Sequence, residues 1–562
     1  MSAPAALLVE LRILDGPNLY FPRPAVKVTV QIPGWMRASE ATVTRSLARL
    51  EIAAKPGAPN TEHRRKAVAR IAASLTRRLA AGAGVERLAV RARPGDEPDR
   101  IVVAFPWRRR GSAEALGRAV TLLLERSLHR SPGRVVAELA PPVASADPGP
   151  QPRVPDPTVP VVQITGTNGK TTTTRLLAHI VMASGGRVAY SSTDGVYRNE
   201  RRVRKGDYSG FLGAATALAQ HPDVAVLETA RGGILLRGIG VLHNDVAVVT
   251  NVSADHLDLH GIHTVDQLAE VKGTITRITR PGGWDVLNAD DPRVLSMRRY
   301  ASGRPWVYTA DHDHPAIRET LADGGRATTV IDGRIAWLER QTIHPMIELV
   351  DVPITMAGIS SVYTSNALAA ASAAIAIGLS MRDTVGGLKT FVMDPEHNPG
   401  RANLFELDRR IVVVDYAHNE AGMIGLTEIL RGLCRPGHET WVAICTAGDR
   451  TDEILHAFGF RAAVGTDHFA VADLKHYTRG RTAQEIYDRL AQAAAEAGVT
   501  NVPRYHGELH ALKSMVARSR PGDVVGVTAL GMRPQLFRWL TQAGARRLRP
   551  TDVKRLVRSP KR

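Results

Sequence analysis

Cysteine is nearly absent: Cys434 and Cys445 are the only two in 562 residues. Two thiols can build neither a disulfide framework nor a four-thiolate zinc site. The chain is therefore expected in a reducing, cytoplasmic compartment without a structural metal cluster, and both cysteines read as core residues rather than nucleophiles. Aromatic residues make up 5% of the chain. They do not interleave with its basic clusters, which disfavours a surface that stacks single-stranded nucleic acid, and no recognition-helix or RNA-binding signature is present. No stretch approaches the ~20 uncharged apolar residues a membrane helix needs. The opening MSAPAALLVELRILDGPN has no basic flank before its short apolar run, so neither export nor membrane insertion is expected.

What is there is globular. Apolar residues account for 44% and charged residues for 23%, and at ~150 residues per domain the length suggests three or four domains. The net charge is +18, and it is uneven: residues 1–150 hold 24 Lys/Arg against 13 Asp/Glu, so +11 lies there. Arg64-Arg65-Lys66, Arg77-Arg78 and Arg108-Arg109-Arg110 carry it. Such clusters read either as a solvated, arginine-rich surface or as a docking face for a polyanion, an acidic substrate fitting better than nucleic acid.

Residues 141–160 contain eight prolines and read as a semi-rigid linker, because proline removes backbone donors and favours extended chain. Before it, residues 1–140 alternate short apolar runs with helical patterns, a small α+β domain. After it, PVVQITGT is a buried strand feeding a glycine turn and a helix, and DVAVLET, DVAVVTN and WDVLN follow at α/β spacing. A second α/β rhythm begins near residue 410. The expected architecture is multidomain α/β: the N-terminal domain, a central domain over 161–399 with a mainly parallel sheet, and a Rossmann-like domain over 400–562.

Gly166-Thr167-Asn168-Gly169-Lys170-Thr171-Thr172 occupies the first strand-to-helix junction of the central domain. Small residues let backbone N–H groups close around phosphate oxygens, and the helix N-terminus adds positive partial charge. Lys170 can reach the β/γ-phosphates and the Thr171 hydroxyl can ligate Mg²⁺. The usual phosphate-loop spacing wants glycine at 164, where this chain has Ile164.

GTNGKTT resembles the ATP loop of the Mur ligases and folylpolyglutamate synthetases. LETARGGIL (227–235), TNVSADHLDLHG (250–261), EVKGTI around Lys272, LNADDP (287–292), GRANLFE (400–406) and DYAHNEAG (415–422) follow in the family's order. SSTDGVY (191–197), KGDYSG (205–210) and GDRTD (448–452) resemble the ligase half of cyanophycin synthetases in particular, as does ILDGPNLYFPRP near the N-terminus. The ATP-grasp module that separates those parts in cyanophycin synthetases has no counterpart between them, so the resemblance implies one ligase centre rather than two.

The resemblance implies an ATP- and Mg²⁺-dependent ligase that activates a carboxylate of an acidic peptide-like acceptor as an acyl phosphate and joins it to an amino acid's amine. Lys170 would serve the phosphates. Thr171, Glu228, His256 and Lys272 would hold metal, Lys272 as a carbamate. Asn288 and Asn366 would lie beside the nucleotide, with Asp290 and Asp291 in the same turn as Asn288. Arg401, Asp415 and His418 would come from a last domain that closes onto ATP, Arg401 stabilising phosphate charge; Asp415 capping a turn is the competing reading. Asp207, Tyr208, Ser209, Arg231, Gly232 and Gly233 resemble positions near the reacting groups, Arg231 offering a carboxylate fork. GDRTD and KHYTRGR (475–481) are either selectors of the incoming amino acid or ordinary charged loops. The family's His-Asn before its Asn-Ala helix is replaced by Val362-Tyr363, so either Tyr363 stacks on adenine or the nucleotide preference differs. A folylpolyglutamate- or cell-wall-precursor-type ligase, and a non-catalytic nucleotide- or polyanion-binding descendant, are the alternative readings. A homo-oligomer is also open.

Overall fold

The computed structural model describes residues 4–255, 257–474 and 477–558. Three sheets organise them. The first has four antiparallel strands in the order Leu7–Leu14, Ala25–Gln31, Arg100–Pro106, Arg91–Pro94. Helices Glu62–Gly82, Arg110–Ser127 and Pro132–Ala144 cover one face, burying Trp35, Leu75, Leu79, Ile101 and Phe105 among others. The other face carries charged residues, the alternation expected of a sheet packed on one side only. Helix Pro132–Ala144 runs through Pro141 and Pro142, so the extended connection starts at Ser145 and not at residue 141. Proline is tolerated there because only the final turn loses backbone bonds.

The central sheet has eleven strands. Seven run parallel, from Arg326–Ile331 at one side through Arg304–Tyr308, Thr279–Asn288, Asn244–Val249, Val161–Thr165 and Val224–Glu228 to Val188–Ser192. Antiparallel strands finish both edges. Every residue of Val161–Thr165 and Val224–Glu228 is buried, as parallel strands covered on both faces must be. In the last domain, parallel strands Arg410–Asp415, Val524–Thr528, Thr440–Ile444, His468–Ala472 and Arg504–Tyr505 lie side by side, and antiparallel Asn403–Leu407 then Arg546–Arg547 finish one edge.

The three units are docked. In the turn Asp15–Asn18, the Gly16 N–H donates to the Arg237 carbonyl at 3.2 Å and the Pro17 carbonyl accepts from the Ile239 N–H at 2.6 Å, while Asp15 pairs with Arg237. Asn18 holds this turn by bonding Gly16 O and Arg23 O. The central and last domains meet through a reciprocal pair of carboxamide bonds between Asn168 and Asn419, at 3.2 and 3.1 Å. Among the described residues, no helix is long and apolar enough to cross a membrane.

Arg64 is wholly buried. Its guanidinium donates to the carbonyls of Pro56, Gly57, Trp35 and Ala38, so it ties loops together and cannot belong to a docking face. Arg108, Arg109 and Arg110 are exposed.

Candidate active site

The phosphate loop follows the buried strand Val161–Thr165 and leads into helix Lys170–Ala183. Gly169 begins that helix in the left-handed region at φ +86°, and a Cβ there would sit 2.3 Å from the Asn366 Oδ1, so only glycine fits. No side chain caps the helix. Its first N–H groups, which lack intrahelical partners, are left for an anion. Asn251 Oδ1 accepts from the Asn168 N–H at 2.9 Å and Thr250 Oγ1 donates to the Asn168 carbonyl at 2.6 Å, so the 250–261 motif braces the loop. Lys170 Nζ bonds the Thr167 carbonyl at 2.8 Å, and burial lowers its pKa.

Thr171 Oγ1 donates to Glu228 Oε2 at 2.9 Å. The other Glu228 oxygen is buried and has no hydrogen-bond partner among the described residues, and burial raises this carboxyl's pKa despite the nearby Lys170 charge. A buried, unsatisfied carboxylate oxygen beside a hydroxyl is the donor set a hard divalent cation takes. Lys272, also buried, donates to the Gly166 carbonyl at 2.6 Å. Burial and the Lys170 charge push its pKa well below the usual lysine range, which favours the neutral, nucleophilic amine that carbamate formation requires. His256 lies outside the described residues.

The facing wall comes from the last domain. The Arg401 guanidinium lies 4.3 Å from the centre of the Tyr416 ring. His418 Nδ1 is 2.9 Å from the Tyr416 carbonyl, which can only accept, so Nδ1 carries a proton, and Nε2 lies 3.6 Å from the Asp255 carboxylate. Asp449 pairs with Arg450 at 2.9 Å and with Arg479 at 2.5 Å, which joins GDRTD to the 477–481 stretch; Lys475 and His476 lie outside the described residues. Between the walls is a cleft of about 530 Å³, lined by Gly166 to Thr172, Asp207, Ser209, Glu228, Arg231, Gly232, Lys272, Arg401 and His418. Thr193, Asp255, Tyr416, Asp449 and Arg479 line it too. Each of these lies in or beside a quoted motif, but only the docked domains show that it faces the cleft.

Several expected residues do not line it. Asn288 spends its carboxamide on the Thr250 carbonyl and the Asp290 N–H, so it braces the 250–261 turn. Asp291 does likewise through the Val252 N–H. Asn366 is buried under the loop beside Gly169 and Thr173. Asp415 accepts from the backbone of Ala402 and Ala417 and from the Tyr363 hydroxyl; it organises the turn, as the capping alternative holds. Tyr363 is buried in that bond and presents no ring for adenine. Tyr208 packs against the apolar layer beneath helix Arg231–Leu236, and Gly233 crosses Gly210 too closely for a side chain.

A second, larger cavity of about 820 Å³ opens between the charged face of the N-terminal sheet and residues 258–263. Its wall mixes Arg12, Lys27 and Arg93 with Glu10, Asp96 and Glu97. Leu259 borders the cleft while Asp258 and His260, both at positive φ, border this cavity. One short segment therefore separates the two spaces.

Residues 164–374 match the Mur ligase middle domain and residues 400–531 match the Mur ligase glutamate ligase domain. The chain belongs to the Mur ligase family. The cyanophycin synthetase of Crocosphaera subtropica is 42% identical over 336 residues, 59% of this chain and 38% of that protein. The chain thus spans less than two fifths of the length of that relative. The UDP-N-acetylmuramyl-tripeptide synthetase of Deinococcus radiodurans is 28% identical over 67% of this chain and 74% of its own length. Among solved structures, E. coli FolC in complex with DHPP and ADP superposes with a TM-score of 0.52 at 21% identity, covering 69% of this chain and 90% of that one. At that identity the likeness is one of fold.

Proposed function

We propose that the chain is an ATP- and Mg²⁺-dependent carboxylate–amine ligase with a single centre, joining a carboxylate of an acidic peptide-like acceptor to the amine of an amino acid. The carrying observation is the convergence of a phosphate loop, a buried unsatisfied carboxylate, a fork-shaped cation and a second domain's arginine on one cleft. Thr171 and Glu228, with Lys272 as a carbamate, would hold Mg²⁺, which supplies charge neutralisation at the transferring phosphoryl group. Lys170 and the helix N–H groups bind the phosphates. Arg401, steadied on Tyr416, meets charge that develops on the transferred group.

An acceptor carboxylate oxygen attacks the terminal phosphorus and ADP leaves, giving an acyl phosphate. The amine then attacks the acyl carbon and phosphate leaves. Arg231 orients the carboxylate, and His418 Nε2 is placed to take the proton the amine gives up. Asp449 and Arg479 bind the ammonium and carboxylate of the incoming amino acid. The larger cavity holds the body of the acceptor, and its mixed wall suits a chain carrying both charges rather than a pure polyanion.

Product mass after incubation with Mg-ATP, mixed amino acids and aspartate-rich peptides tests this, with ADP measured in parallel. A gain of one amino-acid residue per ADP supports the reading. ADP without product retains the chemistry and rejects the acceptor class. Tight ATP binding with neither signal across acceptors favours the binding-module alternative.

A further inference from the structure

The segment between the two α/β domains is gripped from both sides by arginines that share one carboxylate. Arg175, on the helix that follows the phosphate loop, donates to the His397 carbonyl at 3.0 Å and to Asp194 Oδ2 at 2.9 Å. Arg533, from the last domain, donates to the Pro399 carbonyl at 3.0 Å and to Asp194 Oδ1 at 3.4 Å. The two carbonyls are alternate residues of the connecting chain, and Asp194 is the hub. Gly400 sits at φ +71°, and a Cβ there would lie 2.5 Å from Arg533 Cδ, so glycine leaves the space through which Arg533 passes. The next residue is Arg401. Both guanidiniums address the same ring, Tyr416, at 4.3 and 5.5 Å.

At its other end the cluster reaches the metal side of the cleft. Asp194 adjoins Thr193, whose hydroxyl is 3.4 Å from Thr171 Oγ1. The loop that carries Arg533 is itself fixed. Glu508 is wholly buried and accepts from the N–H groups of Leu530, Gly531 and Met532 at 2.6–2.8 Å.

We propose that Arg533 and Asp194 are positioning residues that clamp the interdomain hinge over 397–400 and thereby place Arg401 over the cleft. The ion pair forms only when the last domain is docked, because its partners belong to different domains. Arg175 and Asp194 both belong to the central domain, so their ion pair needs no docking and offers a ready carboxylate for Arg533 to meet. Lysine at 533 would reach one of the two acceptors and not both. The effect on turnover rests on the ligase reading; the effect on docking does not.

Two measurements on the full chain separate these. Small-angle scattering with Mg-AMPPNP is expected to show a larger radius of gyration for Arg533→Met and for Asp194→Asn than for the unmodified chain. The double variant should match the more expanded single variant, since each single variant already loses the Arg533–Asp194 pair. Nucleotide affinity of Arg533→Met should stay within about twofold, because Arg533 belongs to the last domain and the phosphate loop to the central one, and this also reports a folded central domain. Where turnover is measurable, kcat should fall between about ten- and a hundredfold, the cost of a displaced catalytic group, with partial rescue by Arg533→Lys. Scattering identical to the unmodified chain, or expansions that simply add in the double variant, would overturn the clamp whatever the turnover. A chain that never turns over but expands on these substitutions keeps the clamp and rejects the ligase reading.

Discussion

The two walls of the cleft are built differently. The phosphate-binding part of the central-domain wall is one stretch of chain, Gly166 to Thr172, with Glu228 arriving on the neighbouring strand. The facing wall is assembled from Arg401, Tyr416, His418, Asp449 and Arg479, residues from separate loops that meet only when the domain is folded and docked. A phosphate group can be bound by the first wall alone, since helix N–H groups and a lysine need no other domain. Placing charge on a transferred phosphoryl group needs both. The first wall should therefore govern nucleotide binding, and the second should govern turnover.

Lys170→Ala gives the largest expected effect: loss of kcat/KM by about a hundred- to a thousandfold, the scale for removing one preorganised charge-stabilising group, measured by ADP release. Turnover within tenfold of normal would break the assignment of the first wall. Gly400→Ala forces strain at a positive φ and a clash with Arg533. It should cut kcat by about tenfold or more while leaving the ATP affinity within about twofold, and a change in affinity alone would merge the two walls.

Tyr363→Phe sharpens the comparison further. It removes one donor from Asp415 and should cost about 1 kcal/mol of stability with no change in ATP affinity, read by thermal unfolding and nucleotide titration. Weaker ATP binding would restore the adenine-stacking role.

The smallest effect concerns pH. Burial pushes the Asp285 carboxyl up to about 7, above its ordinary unfolded value of about 3.9. Between those values the native state holds a proton the unfolded chain has lost, so stability falls as pH rises through that window. Asp285→Asn should flatten the melting temperature between pH 5 and 7. Nucleotide binding should be unaffected, because Asp285 bonds Thr279 and Gly303 and does not line the cleft.

Legibility in the sequence followed the same division. The phosphate loop could be read because strand, glycines, lysine, threonines and helix are contiguous, and Glu228 and Lys272 because their motifs are compact. Asn288, Asn366 and Asp415 show the limit. Each sits in a motif beside the site, but a carboxamide or carboxylate serves a turn as readily as a ligand, and only its hydrogen bonds tell which. Tyr363 looked available because burial cannot be read from a single position. Arg533 was invisible: it belongs to no motif, and its importance comes from Asp194 and Pro399, over a hundred positions away in the chain. Arg64 erred in the other direction, a charge in a basic run that turned out to be a core strut.

The central claim is that the cleft activates a carboxylate by phosphorylation. Its most direct test uses an acceptor labelled with oxygen-18 in its carboxyl groups, with the released inorganic phosphate analysed by mass. One labelled oxygen is expected in the phosphate for each amide formed. Unlabelled phosphate accompanying amide product would show that the carboxylate never bonds to phosphorus, and would contradict it.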